Sequence, residues 1–134
     1  MAAYLPDEGE TFILNQVLKN ITTDRGTDLH MGLFTNSTVS ETTTYASITE
    51  PTGTGYARKT LTDASWTVSG TGTAATYAAQ VFTATGTWVG NVYGYFIATK
   101  GSSPRLLALE TISGGPYSFV NLDSISITPS ITLA

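Results

Sequence analysis

The spacing of hydrophobic and polar positions changes near residue 28. Before it, Ile13, Leu14, Val17, Leu18 and Ile21 recur at i, i+1, i+4, i+5 and i+8, one apolar stripe along a helix. Asp7, followed three residues later by Glu10, predicts a capping-box-like start with acidic residues at the positive end of the helix dipole. Lys19 stands at the other end. The expected helix runs over about 8–20. Asp24-Arg25-Gly26-Thr27 then reads as a turn. Leu29, Met31 and Leu33 come next, alternating with His30, Gly32 and Phe34 in the period of a strand.

From Asn36 to Gly55 no period holds. The segment is rich in Thr and Ser and ends in Pro51-Thr52-Gly53-Thr54-Gly55, with a short element expected around Tyr45 to Ile48. A loop this long in a compact domain is usually functional or an interaction arm. Beyond Tyr56, strands are expected at Ala57–Leu61, Trp66–Ser69, Ala74–Ala78, Val81–Ala84, Val92–Ala98, Leu106–Glu110, Ser118–Val120 and Ser124–Thr128, with a terminal piece at Ile131–Leu133. Their even spacing, with turn residues between them, is that of a sandwich or small barrel. Ile125 and Ile127 alternate with Ser124, Ser126 and Thr128, so that strand has one wet face. The stretch Val92–Ala98 is apolar on both faces and is expected to be central. Pro129 restricts any pairing beyond Thr128 to an edge. The reading is mainly β: an antiparallel, jelly-roll-like β-sandwich with one N-terminal helix. Residues 1–134 form one domain.

Composition agrees with one domain, since 134 residues suffice for a single core. The chain has no cysteine, which excludes disulfides and cysteine-ligated metals. The start Met1-Ala2-Ala3-Tyr4-Leu5-Pro6-Asp7-Glu8 shows no export signal, and no stretch is apolar enough for a membrane helix. Charged residues make up only 12% of the chain, about half the roughly 25% usual in soluble domains. Thr, Ser and Gly take their places. A net charge of −4 argues against nucleic acid and anionic membranes as partners. Uncharged polar surface costs little to desolvate and suits permanent assembly.

Candidate chemistry is sparse. His30 is the only histidine, and it reads as a partly exposed strand residue, with no Gly-x-Ser-x-Gly elbow to serve a triad. Asp24 and Asp28 supply at most two oxygen ligands from a turn, and Asp7, Glu8 and Glu10 belong to the helix start, so no calcium loop is built. Glu41, Glu50, Asp63, Glu110 and Asp123 are scattered without the pairing of a glycosidase. Gly53-x-Gly55 and Gly70-x-Gly72 lack the Lys-Ser/Thr step of a phosphate loop. Arg58-Lys59, the one adjacent basic pair, sends a charge to each side of a strand and makes no basic patch. No catalytic, cofactor-binding or metal residue is assigned, and the chain is expected not to be an enzyme. Trp66, Tyr77, Phe82, Trp88, Tyr93, Tyr95 and Phe96 crowd its middle, chiefly as core.

Four blocks carry a resemblance: Gly55-Tyr56-Ala57-Arg58-Lys59-Thr60-Leu61, Val81-Phe82-Thr83-Ala84-Thr85-Gly86-Thr87-Trp88, Val92-Tyr93-Gly94-Tyr95-Phe96, and the alternating end Ser124–Leu133. Together they resemble small tailed-phage virion proteins, described as capsid decoration (cement) or tail-fibre proteins. That resemblance implies a β-sandwich without an enzymatic site, with Tyr56 and Phe96 as core, Gly94 where backbones approach closely, and Arg58 as an ion-pair partner. The leading expectation is a cement protein on the capsid exterior, made in the host cytoplasm. It would act as a homotrimer clamping the major capsid protein through the loop Asn36–Gly55 or the N-terminal arm. A tail or tail-fibre component is the alternative. A carbohydrate-binding module using exposed Trp66 or Trp88 is the second.

Overall fold

The computed structural model describes residues 3–71 and 73–133. It is mainly β, with antiparallel sheets and one α-helix near the N-terminus. Helix α1 spans Asp7–Leu18. Strands lie at Leu29–Phe34 (β1), Lys59–Leu61 (β2), Thr67–Val68 (β3), Ala74–Thr76 (β4), Gln80–Thr83 (β5), Gly94–Thr99 (β6), Leu106–Thr111 (β7), Ser124–Ile127 (β8) and Ser130–Thr132 (β9). They group as a four-stranded sheet β2-β1-β6-β7, a three-stranded sheet β3-β4-β9 and a pair β5-β8. The expected strand over Ser118–Val120 is not formed. The segment makes isolated contacts instead of a ladder, through the bridge Val92–Tyr117 just before it and the bond from Trp88 N to Phe119 O, and Asp123 draws it into a turn by accepting from Val120 N.

The apolar β6 lies inside the large sheet as expected, and every one of its residues is buried. Its register with β1 pairs Leu29 with Thr99 and Phe34 with Gly94. Alternation along the strands then sends side chains to opposite faces. Met31, Leu33, Tyr95 and Ile97 join one core, shared with Leu61, Phe82, Trp88, Phe119 and Ile127. Phe34, Phe96 and Ala98 join a second core with Leu106 and Leu109. Two buried faces require two covers. One is supplied by the smaller sheets, the other by the long loop, whose Val39, Tyr45 and Ile48 pack on Phe34 and Phe96.

The segment 36–55 is therefore a lid on its own domain rather than a free arm. A single 3-10 turn, Tyr45–Ser47, lies where a short element was expected. Thr35 N donates to Thr49 O, and the Asn36 amide holds Ser47 O and Thr49 N at 2.9 Å each. Further along, Thr52 and Val89 exchange both backbone hydrogen bonds. Gly94 sits where a Cβ would collide with Glu110 O and the Phe34 ring, so β6, β7 and β1 close up only around a bare backbone.

Helix α1 packs against β7 at the sheet's edge, and Tyr4 bridges to Leu109 just before it. This covers an edge that would otherwise present unpaired backbone groups. Of the stripe read from its sequence, the helix packs only Ile13 on the core. Gly9 is its buried residue, set against Leu107 O where no side chain fits, and Phe12 and Ile13 pack beside it on the core. The backbone approach at Gly9 fixes the helix rotation, which turns Leu14, Val17, Leu18 and Ile21 outward. Its start also differs from the expected capping box. The N-cap is Pro6, without a side-chain cap.

Candidate interaction surface

The chemistry-bearing residues are gathered by the loop. Glu8 reaches across the fold: its Oε2 accepts from Tyr45 N and from Leu106 N, each at 2.8 Å. One carboxylate thus ties α1, the loop and β7 together, with Arg105 Nη1 at 3.7 Å from its Oε1. Arg105 Nη2 also meets Asp24 Oδ2 at 3.3 Å, so the 24–27 turn is pinned to the same corner. Asp24 and Gly26 there take positive φ of 66° and 68°.

A second cluster lies under the lid. Arg58 grips the Glu50 carboxylate with Nε (2.9 and 3.1 Å) and Nη2, and its Nη1 donates to Tyr45 O–H at 2.6 Å. Tyr56 O–H donates to Glu50 Oε2 at 2.5 Å and accepts from Leu33 N at 2.9 Å. Arg58 precedes β2 rather than lying in a strand, so its guanidinium is free to turn back over the rings of Tyr45 and Phe96, at 5.4 and 5.6 Å. Glu50 raises the Arg58 pKa, while burial, then the bond to Glu50, pushes the Tyr56 phenol well above its usual range.

His30 belongs to this cluster and is a correction to the sequence reading. It is buried rather than partly exposed, stacked on Tyr45 at 6.1 Å and edge-on to Phe96. Burial first, then the neighbouring Arg58, brings its pKa down to about 4; Glu50 opposes this and Lys100 adds to it. The imidazole is neutral at physiological pH, enclosed by rings and a guanidinium.

The remaining carboxylates are dispersed. Glu110 accepts from Tyr95 O–H at 2.7 Å, Asp63 from Ala64 N, and Asp28 from Asp63 N at 3.1 Å. Among the described residues, no group of three or more His, Asp or Glu is placed to hold a metal ion. Among the described residues, no helix is long and apolar enough to cross a membrane. The tryptophans split. Trp88 is buried, stacked on Phe119 at 4.7 Å, and its Nε1–H donates to Thr54 O at 2.9 Å, so neither ring face is open to a sugar. Trp66 is half-buried against Tyr77.

What the surface does expose is aliphatic. Along α1 and just beyond it, Leu14 is 58%, Val17 73%, Leu18 76% and Ile21 41% exposed. A contiguous apolar ridge of this kind marks a contact site more often than a free surface. A second group, Val89, Val120 and Leu122, lies on neighbouring segments joined by Trp88 N–Phe119 O and Leu122 N–Ala84 O bonds. The helix stripe was visible in the sequence, but not which way it faces. Gly9, read as a contact point rather than as a helix-weakening residue, was the signal for the other face.

The chain is β-rich and charge-poor, with two built cores and an apolar helix face left exposed. The chain belongs to the family described as Podophage GP4 fiber I protein gp80, whose model matches residues 5–129. It is a bacteriophage structural protein of the virion. No curated protein and no solved structure matched it.

Proposed function

We propose that this chain is a component of the phage tail fibres that works by assembly rather than catalysis. The observation that carries this is the outward helix stripe of Leu14, Val17, Leu18 and Ile21, in a chain whose family is a fibre protein. Family membership supports the fibre reading over capsid cement, and with it a place at the tail rather than on the capsid exterior. The major capsid protein as partner belongs to the cement reading and goes with it. The homotrimer is compatible with both, and the ridge of Val89, Val120 and Leu122 offers a surface for it.

Low charge supports assembly physically. Threonine and serine hydroxyls re-pair across a contact at little cost, and weak contacts repeated within a particle act multivalently. The deciding experiment is the copy number of this chain per purified particle, relative to the major capsid protein, by quantitative mass spectrometry. A few to a few tens of copies is expected for a fibre. Hundreds, in simple ratio to the capsid subunit, would return the cement reading, and absence from particles would remove both.

A further inference from the structure

We propose that the groove between α1 and the C-terminal strand, together with the outward face of α1, seats an apolar helical segment bearing lysine or arginine from another virion protein. The fibre reading supplies only the source of that partner; the chemistry of the groove is independent of it. The groove has a volume of about 460 Å³ and apolar walls made by Tyr4, Leu5, Ile13, Leu14 and Leu133. Its charged lining residues are Glu10 and Glu41, both carboxylates and both exposed. From Leu14 the apolar surface continues one turn along the helix to Val17 and Leu18. Spacing at i, i+3 and i+4 is the ridge pattern into which a second helix packs.

Charge selects the occupant. An apolar segment is held by the walls, and the two carboxylates at the rim favour a cation beside it while rejecting an anion. A second copy of this chain is the poorer fit. Packed symmetrically across the groove, it would bring Glu10 and Glu41 of one copy toward the same residues of the other, in a protein already at −4. The chain has six basic residues against ten acidic ones, and two of the six, Arg58 and Arg105, are committed to internal ion pairs.

The test titrates the full chain with two labelled 16-residue amphipathic peptides. Both carry leucines at i, i+3, i+4 and i+7; one has flanking lysines and its twin has glutamates. The lysine peptide is expected to bind at least tenfold more tightly, with amide shifts confined to α1, Tyr4 and Leu133. Glu10→Lys combined with Glu41→Lys reverses the preference, and Val17→Asp abolishes binding while the circular dichroism spectrum is unchanged. Equal binding of both peptides, or no shifts along α1, overturns the proposal.

In assembled particles, a photo-crosslinker placed at position 17 reads the native occupant. A crosslink to an apolar segment with lysine or arginine in a different virion protein is expected; one to another copy of this chain, or to an acidic segment, overturns the proposal. If the chain is missing from particles, the fibre reading fails, and the peptide titration still decides the groove.

Discussion

At the scale of single residues, the buried His30 beneath the lid couples stability to pH. His30 titrates at about 4 in the fold, held down by burial and by Arg58, against roughly 6.5 in an unfolded chain. A lowered histidine pKa means that the unfolded state takes up the proton first. Stability from this group is thus fully present above about pH 6.5 and is lost as the pH falls towards 4, by up to about 3 kcal/mol. Denaturation midpoints measured between pH 7 and 4 should fall over that window, and His30→Gln should flatten the fall. The neighbouring ion pair behaves differently. Glu50→Ala strands the Arg58 guanidinium and the Tyr56 hydroxyl together, at a cost of about 1–3 kcal/mol in urea unfolding. The double variant Glu50→Ala/Arg58→Met should lose less than the sum of its two single changes, because each single change leaves the other partner unpaired.

At the scale of elements, two small features decide how the pieces sit. Gly9 lets α1 lie on the Leu107 backbone. Gly9→Ala adds about 1 kcal/mol of helix propensity but forces the helix off β7, and overpacking at about 1–3 kcal/mol outweighs the gain. Thermal unfolding should show net destabilisation, whereas Gly70→Ala, with open space around it, should stay within about 0.5 kcal/mol. Glu8 has the corresponding role for the lid. Glu8→Ala leaves Tyr45 N and Leu106 N without their acceptor, so loop 36–55 should open more often. Hydrogen exchange should then quicken at Ser47 and Ile48, whose amides bond to Thr44 and Tyr45 within the lid, while β6 amides are unaffected.

At the scale of the whole molecule, folding and assembly draw on different residues. Val17→Asp and Leu18→Asp fall on side chains 73% and 76% exposed, so each should change the stability of the isolated chain by less than about 0.5 kcal/mol. The same changes should deplete the chain from purified particles, read by its ratio to the capsid protein. Stability and incorporation lost together would mean that the helix face belongs to the fold after all. The surface suits this division of labour, since hydroxyl-rich patches stay soluble while free and lose little when covered.

Much of the fold was legible in the residues themselves. The two-sided apolar run of β6 gave its central place, alternation gave β1, and Ile125 and Ile127 gave the half-buried β8, because strand periodicity is a local property of the chain. The blocks around Tyr56, Gly94 and Phe96 also carried the resemblance to phage virion proteins. What the chain could not show locally was which face of α1 turns inward, since an apolar stripe looks the same whether it meets a core or a partner. That was decided by Gly9 against Leu107, two residues far apart in the chain. The same holds for the lid and its buried histidine: Tyr45, Glu50 and Arg58 close over His30 only when β1 and β6 pair and present a second apolar face to be covered. The amino-acid sequence by itself determined most of the strands, the helix and a charge-poor surface. The tertiary structure alone decided which apolar residues are core and which are left for another molecule, because burial depends on what lies across the gap rather than on the residue's own character.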